Sequence, residues 1–386
     1  MSEPEGRGSI QRFVLEPDRV GKIFVTAPAF PRYQYGQTLA ISGNIKQQVL
    51  KNDRIVNTMF FPKITSKNEA QNFPINVIFH IREKIRSVFQ AALPPASSSL
   101  LLGIVFGGKE QLPKDFSENL ASTGLIHIIA ASGMNVSMVA GGVFFLFSLF
   151  FHRKGAIFLT VLAVFFYMLL AGFSPSIVRA GIMATLASIA SLLGKQYFVI
   201  IALVITAYAM LLFDPRLLFD LGFQLSFSAT LGIILLSPFL TFRQKAEKKP
   251  VVDFFASDIK TTTAAQIATL PILLATIGQY GVLSIPVNAL VLWMVPILMI
   301  LGGVGALCAL FFPFLAKLLL WLALPFLIYI QYIVMYFGKL NLNLSLDSFP
   351  VPFVLGYYLL LLVIIFFRKD SEDQSAKIKN QSQAKK

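Results

Sequence analysis

Residues 156–173 read AIFLTVLAVFFYMLLAGF, a stretch in which no side chain carries a charge. An α-helix needs about 17–25 mainly apolar residues to cross the hydrocarbon core of a bilayer, and this stretch has that length. Similar runs recur through the C-terminal two thirds of the chain, which predicts about nine membrane spans. We place them at residues 126–151, 156–173, 177–193, 197–213, 219–240, 262–279, 283–312, 315–338 and 351–367.

The composition of the chain also indicates a membrane protein. Apolar residues make up 56% of the 386 positions and charged residues only 13%, whereas a soluble domain carries about 25% charged residues. So few charges cannot cover the apolar surface, which must therefore lie in lipid. We predict an all-α polytopic membrane bundle over residues 126–367, preceded by a small soluble domain. The single cysteine, Cys308, excludes an internal disulfide.

The first 74 residues are predicted to form a small all-β domain. Short β-rich runs at Lys22–Thr26, Gln37–Ile45 and Ile55–Ile64 are separated by Pro, Gly and Asn, which is typical of a small barrel or sandwich. Residues 75–125 are predicted to be an amphipathic helix and a linker. The apolar face of that helix would lie on a membrane surface or pack on the β-domain. The run Leu100–Phe106 is too short to span a bilayer.

The predicted seventh span, residues 283–312, differs from the others. It is long and contains Pro286 and Pro296. It is therefore either one kinked helix or two half-helices that enter the membrane and return.

Basic residues in the loops predict the orientation of the spans. Loops after odd-numbered spans, together with the tail, hold fifteen Lys and Arg, whereas loops after even-numbered spans hold only Arg216 and Lys339. Cytoplasmic loops carry the excess of basic residues. We therefore predict a multi-pass protein of the bacterial inner membrane, with the N-terminal domain outside. The basic tail, residues 368–386, is predicted to be cytoplasmic and disordered.

Polar residues of the membrane part concentrate near the predicted outer ends of the spans. His127, Arg179, Asp214, Asp220 and Gln224 all lie there, and the first span is interrupted by polar and small residues. Polar groups at membrane depth usually face a bundle interior or a water-filled cavity. The pattern predicts a polar vestibule that opens outward.

Each of these residues also has a purely structural interpretation. The sequence Asp214-Pro215-Arg216 is compatible with an interfacial turn, and Arg179 with a side chain that reaches lipid headgroups. Ser132 and Gly133 are compatible with close helix packing. His127 alone is compatible with an interfacial hydrogen bond. Their coincidence at one end of the spans favours a functional role.

Three segments of the membrane part resemble the signature of the ComEC-type competence family of DNA-uptake channels. They read GLIHIIAASGMNV (124–136), AGFSPSIVRA (171–180), and DP (214–215) followed by FDLGFQLSF (219–227). They occur in the order and spacing of that family, and TLP (269–271) and SIPVN (284–288) support them. The resemblance covers roughly residues 75–340. The segment YGQTLAISG (35–43) is similar to a strand pair of the family's external OB-like domain.

The resemblance implies a non-enzymatic channel that imports single-stranded DNA across the inner membrane during natural transformation. The residues that it assigns to the DNA path are His127, Ser132, Gly133, Asn135, Ser174, Ser176, Arg179, Asp214, Asp220, Gln224 and Ser226. OB-type barrels bind single strands through a basic groove and stacking aromatic rings. The corresponding candidates in the N-terminal domain, whose net charge is +6 over residues 1–96 from thirteen basic and seven acidic residues, are Tyr33, Tyr35, Lys46, Arg54, Phe60 and Phe61.

The chain departs from many members of the family in two respects. Many members carry a C-terminal metallo-β-lactamase-like domain and often begin with membrane spans ahead of the OB-like domain, and from this sequence we expect neither. Its three histidines are not in metal-ligand spacing, so we expect no metal or other cofactor. The sequence also has no phosphate-binding loop. An inside-negative potential opposes phosphate entry by about 2.3 kcal/mol per charge per 100 mV. Expected partners are therefore a cytoplasmic ATP-driven motor, a separate nuclease and a DNA receptor; a homo-oligomer is also compatible with the sequence.

Two other classes of protein remain open at this point. A secondary transporter for a small anionic solute would use the same polar residues as its binding site, and inverted repeats around broken helices would favour it. A structural anchor would leave the N-terminal domain as the working part. The polar motifs in the spans disfavour a simple anchor.

Overall fold

The computed structural model describes most of the chain, in thirteen stretches. These are residues 5–7, 10–15, 23–28, 30, 39–49, 55–66, 73–108, 112–129, 132–240, 250–281, 283–340, 343–345 and 352–367. The chain divides into two compact units. One comprises residues 1–91 with Cys308–Phe314, and the other comprises residues 92–307 with 315–386.

The first unit contains seven short strands. They are β1 (Glu5–Arg7), β2 (Ile10–Leu15), β3 (Ile23–Pro28), β4 (Leu39–Ser42), β5 (Lys46–Val49), β6 (Ile55–Phe60) and β7 (Lys63–Ser66). Five of them form a sheet in the order β1-β2-β3-β6-β5, in which β3 and β6 are parallel and the other pairs antiparallel. The five strands β3 to β7 fall within or next to the predicted β-rich runs, whereas β1 and β2 lie ahead of the first run. The OB-type assignment of this domain stays a prediction.

The antiparallel pair β4–β7 follows the pair β5–β6 with its register shifted by one residue. Lys46 pairs with Thr58 between β5 and β6, and Ser42 pairs with Lys63 between β4 and β7. At the break, Phe61 adopts φ 46°, a left-handed conformation that is rare for a bulky residue. Its N–H donates to Thr26 O at 2.7 Å. This irregular turn between β6 and β7 is tied to β3 by that bond.

The two faces of the sheet differ in burial. Ile23, Val25, Ala27 and Met59 are buried together and form the core of the strand region. The neighbouring positions of β3 alternate between buried and exposed. This period of two is the pattern expected of a strand with one covered face.

Helices make up most of the remaining chain. They are α1 (Phe73–Ala92), α2 (Pro95–Phe106), α3 (Lys114–Ser122), α4 (Ile126–Ile129), α5 (Gly133–Ser148), α6 (Arg153–Ala171), α7 (Pro175–Leu192), α8 (Val199–Phe213), α9 (Leu221–Leu236), α10 (Pro250–Ile277), α11 (Ser284–Val291), α12 (Val295–Phe311), α13 (Pro313–Lys339) and α14 (Pro352–Phe367). Two further strands, β8 (Gln279–Gly281) and β9 (Asn343–Ser345), pair antiparallel.

Five helical segments of the described chain are long and apolar enough to cross a membrane. They are Arg153–Ala171, Pro175–Leu192, Leu221–Phe239, Ser284–Phe311 and Pro313–Lys339. The apolar helices α2, α5, α8 and α14 are shorter. The structure therefore confirms a helical, multi-span membrane part but not the predicted number of nine spans.

The predicted first span, residues 126–151, is divided in the structure. Its first four residues form the short helix α4, and α5 begins only at Gly133, because Ser132 has extended backbone angles (φ −103°, ψ 166°). The polar and small residues that interrupt the apolar run thus coincide with a helix start.

The predicted seventh span is an interrupted helix. A 3₁₀ turn, Leu292–Met294, connects α11 to α12. Pro286 and Pro296 lie in the first turns of α11 and α12, where a missing N–H costs no intrahelical bond.

Helix α1 has the predicted amphipathic character. Ile85 and Phe89 on its apolar face are buried in protein, and the side chain of Ile75 lies outside the described residues. Lys84 donates from Nζ to Leu310 O at 2.6 Å. Because Leu310 belongs to the last turn of α12, this ammonium group caps a helix C-terminus.

Helix α2 is short and, after its first two residues, fully covered. Every residue from Ser97 to Phe106 is buried, although the sequence predicts only that this run cannot span. Gln331 of α13 donates to the Ser97 hydroxyl at 2.9 Å. A buried twelve-residue helix must have its terminal carbonyls satisfied by other elements, and these bonds lie in the candidate site.

Candidate functional site

Arg179 is a buried cation in the membrane part. It lies one turn into α7 and is 8% exposed. Its Nη1 donates to Ser226 O and to the hydroxyl of Thr230, both on α9. Its Cζ lies 6.0 Å from the centre of the Phe227 ring. Arg179 therefore links α7 to α9 through neutral groups only.

Gly133, the first residue of α5, lies against the same guanidinium. A Cβ built on Gly133 would be 2.7 Å from Arg179 Nη2 and 3.5 Å from Ala180 Cβ. A real Cβ essentially never approaches that closely, so any larger residue would displace the guanidinium. Close packing at Gly133, the structural interpretation given to this position from the sequence, is thus a feature of the structure.

Asn135 holds the start of α5 on the end of α2. It is 2% exposed, and its Nδ2 donates to Ile104 O at 2.7 Å. The Ser132 hydroxyl donates to Asn135 Oδ1 at 3.2 Å. The next carbonyl of α2, Val105 O, accepts from the Tyr167 hydroxyl at 2.7 Å. Side chains of α5 and α6 therefore satisfy carbonyls in the last turn of the buried helix.

The structure therefore brings together five of the predicted path residues. Arg179 contacts Gly133 and Ser226, while Ser132 and Asn135 lie at the same helix start. They come from three separate sequence segments. Sequence reasoning missed Thr230 and Tyr167. Thr230 lies one turn after Ser226, and its hydroxyl also donates to Ser226 O at 2.9 Å; that spacing is the signal that places it on the same face.

Three other predicted path residues make local bonds at turns. Asp214 accepts from the backbone N–H of Arg216 at 3.0 Å, and Asp220 accepts from that of Phe223 at 3.0 Å. Gln224 Nε2 donates to Leu218 O at 2.9 Å. These bonds cap the 3₁₀ turn and the first turn of α9, as Asp does at helix starts. None of them reaches the Arg179 guanidinium.

The remaining predicted residues lie at helix starts and connections. Ser174 is the N-cap of α7, and its carbonyl accepts from Val178 N at 3.0 Å. Ser176 is half-buried in the first turn. His127 Nδ1 is 2.9 Å from Gly124 O.

Three chain connections meet at one end of the second unit: the one around Gly124 between α3 and α4, the one after α10 and the one after α13. Strand β8 follows α10, strand β9 follows α13, and the two strands pair. A Cβ on Gly281 would lie 3.1 Å from Gly124 N, and one on Gly124 would lie 2.6 Å from Ser284 Cβ. The charge pattern assigns these same three connections to a single membrane face.

The candidate nucleic-acid residues of the N-terminal domain are only partly described. Tyr33, Tyr35 and Arg54 lie outside the described residues. Lys46, Phe60 and Phe61 are exposed, with Phe60 52% exposed.

The strand register adds Phe24 to this set. Phe24 pairs with Thr58, and Thr58 pairs with Lys46, so these three residues share a face of the sheet. Phe60 lies two residues along β6 on the same face, and Phe24 is 45% exposed. Alternation along Ile23–Pro28 is the sequence signal that points to Phe24.

Comparisons with known proteins support the resemblance of the sequence motifs. Residues 104–371 match the family described as Competence protein. The chain is 29% identical over 229 residues to ComE operon protein 3 of Bacillus subtilis (strain 168), a match that covers 59% of this chain and 28% of that protein. It is 27% identical over 202 residues to an uncharacterized protein of Aquifex aeolicus (strain VF5), covering 52% of this chain and 46% of that protein. The chain thus spans less than half the length of either relative. No solved structure matches it.

Proposed function

Because the chain belongs to the Competence protein family, whose model matches residues 104–371, we propose that it imports single-stranded DNA across the bacterial inner membrane during natural transformation. One structural observation supports this proposal most strongly. The three motif segments converge on one buried cluster, in which Gly133 and Ser226 both contact Arg179. A buried cation in a membrane part is costly, and such residues usually mark the path of a substrate.

The chemistry of the cluster suits a polyanion. Arginine cannot lose its proton under physiological conditions, and its planar fork of N–H groups matches phosphate oxygens. Each phosphate of a strand entering low dielectric needs a compensating positive group or a water-filled path. Arg179 supplies the first of these. We assign no catalytic role to the chain, and we propose that a cytoplasmic ATP-driven motor, a nuclease and a DNA receptor are separate proteins.

A small anionic solute is the alternative substrate, because one guanidinium with neutral neighbours also suits a single anion. The two functions differ in a simple observation. A solute transporter would be needed for growth on, or tolerance of, that solute, whereas a DNA channel would be needed only for transformation. Loss of transformation without a growth defect in a strain that lacks the gene would favour DNA import.

We propose that the exposed sheet face with Phe24, Phe60 and Lys46 binds the single strand. Bases stack on aromatic rings, and a lysine attracts the phosphates. The full-length protein in nanodiscs should bind an oligothymidylate, with an affinity that falls as salt rises. The double replacement Phe24→Ser and Phe60→Ser should weaken binding by about tenfold or more, because each stacked base contributes about 1–3 kcal/mol.

A matched control for this experiment is Phe30→Ser, an exposed phenylalanine outside the strands. It removes the same ring and should leave the affinity unchanged. Equal binding by the wild type and the double variant would remove this face from the proposal.

The orientation of the N-terminal domain can also be tested. The charge pattern and nine spans together place this domain outside and the α12–α13 turn inside. However, Lys84 in the middle of α1 bonds to Leu310 at that turn. Because the middle of α1 contacts this turn, we infer that α1 and the turn lie at the same membrane face. That conflicts with a domain outside and a turn inside.

Cysteine labelling of intact cells distinguishes them. In a Cys308→Ser background, Ser66→Cys and Phe312→Cys should react alike with an impermeant thiol reagent, and Leu340→Cys should react oppositely. Helix α13 separates Phe312 from Leu340 by 27 residues, about 40 Å at 1.5 Å per residue. The fifteen-to-two charge bias predicts that Leu340→Cys is labelled and that Ser375→Cys in the tail is not. Opposite labelling of Ser66→Cys and Phe312→Cys would separate the N-terminal domain from the turn.

A further inference from the structure

The N-terminus of α5 and the guanidinium of Arg179 face each other inside the membrane part. Gly133 is the first residue of α5, and a Cβ at this position would be 2.7 Å from Arg179 Nη2. The first N–H groups of an α-helix have no intrahelical acceptor and together carry about half a positive charge. Two positive groups are therefore adjacent in a region of low dielectric.

Neither positive group is neutralised by the protein around it. Within the described ranges, no carboxylate lies within 4.0 Å of the Arg179 guanidinium. Its Nε is buried without a hydrogen-bond partner, and its Nη1 bonds only to neutral oxygens. The N-cap Ser132 makes no side-chain bond to the N–H groups of α5, since its hydroxyl donates to Asn135. The Asn135 N–H donates to Ser132 O at 3.1 Å, so the N–H groups of Gly133 and Met134, together with Nε and Nη2 of Arg179, are the donors available to a ligand.

A bound anion would relieve both charges at once. Burying an uncompensated charge is expensive, and a second positive group beside it raises that cost. Helix N-termini bind phosphate through their free N–H groups, and arginine binds it through charge-assisted bonds. Because Gly133 has no side chain, its backbone lies directly against the guanidinium.

We propose that Arg179 and the N-terminus of α5 form a binding site for a phosphate group. Its ligand is either a phosphodiester of a nucleic acid strand or a free phosphate ion, because both present the same oxygens. The assignment to a strand rests on the proposed function. The site itself rests on the two unneutralised positive groups and on the unpartnered Nε of Arg179.

The test uses the full-length protein in phosphatidylcholine nanodiscs. Binding of radiolabelled inorganic phosphate is measured by scintillation proximity. The wild type should bind phosphate saturably. Arg179→Gln should bind it at least about tenfold more weakly, because one charge-assisted interaction is lost. Gly133→Ala should also weaken binding, since its Cβ occupies the approach to Nη2.

Gly142→Ala is the matched control. It makes the same substitution on the same helix, and a Cβ there meets no atom within 4 Å. It should bind phosphate like the wild type. Equal affinity in Arg179→Gln and Gly142→Ala would overturn the site, and so would a wild type that binds no phosphate. Size-exclusion profiles of all variants identify any that fail to fold. If either Arg179→Gln or Gly133→Ala fails to fold, the other is compared with Gly142→Ala to test the site.

Competition identifies the source of the phosphate. Displacement of the label by an oligothymidylate, but not by its uncharged methylphosphonate analogue, would assign the site to a nucleic acid strand. Displacement by free phosphate alone would support the site with a free ion as its ligand. A protein that supports transformation but binds no phosphate would overturn this inference and leave the proposed function intact.

Discussion

Replacement of Arg179 by alanine is expected to abolish transformation while the protein still accumulates in the membrane. The change removes the buried cation that links α7 to Ser226 and Thr230 on α9. A hydrogen bond to a charged group contributes about 1.5–3 kcal/mol, so the loss of two such bonds to a strand phosphate should lower the transformation frequency by at least about a hundredfold. Arg179→Lys should restore only part of it, because an ammonium group lacks the planar fork of the guanidinium.

The control for this prediction is Arg153→Ala. Arg153 is exposed and bonds to Ser191 at a helix end, so its loss removes the same charge outside the cluster. Its transformation frequency should stay close to that of the wild type. Normal transformation by a stably inserted Arg179→Ala variant would exclude a role of Arg179 in transport.

Replacement of Asn135 by leucine is expected to destabilise the protein. From the sequence alone, this change removes polarity while keeping a similar size, so a loss of uptake with folding intact would place Asn135 in the path. The structure changes that expectation, because Asn135 is buried and donates to Ile104 O. Leucine would leave this carbonyl of α2 and the Ser132 hydroxyl without their partner. The free energy of unfolding should fall by about 1–3 kcal/mol.

Thermal unfolding in detergent, followed by intrinsic fluorescence, measures this effect. Ser137→Ala on the same helix is the control, because the Ser137 hydroxyl is exposed and bonds only to Gly133 O within α5. It should unfold at nearly the wild-type temperature. A variant Asn135→Leu with wild-type stability would show that α5 does not depend on this bond.

Some features of the fold could be predicted because they follow from composition and periodicity. Runs such as residues 156–173 identify helices α6, α7, α9 and α13 directly, and alternation locates strand β3. The polar and small residues at Ser132 and Gly133 coincide with the start of α5, although the predicted first span ran through them from residue 126. The number of spans could not be fixed, because α5, α8 and α14 are shorter than the bilayer normally requires.

The candidate site was predictable only as a set of residues. The motifs single out Gly133, Asn135, Arg179 and Ser226, but no periodicity relates residues on different helices. The contact of Arg179 with Gly133 depends on the packing of α7 against α5. Similarly, the buried helix α2 reads only as a short apolar run, although its carbonyls receive the Asn135 and Tyr167 side chains.

Transport of a DNA strand across the membrane by this chain can be measured directly in cells. It is tested by offering end-labelled duplex DNA to competent cells of the host and measuring the label that becomes resistant to added nuclease. A strain that lacks the gene should bind labelled DNA at its surface and protect almost none of it, and the wild-type gene should restore protection. Equal amounts of protected label with and without the gene would contradict the proposed transport.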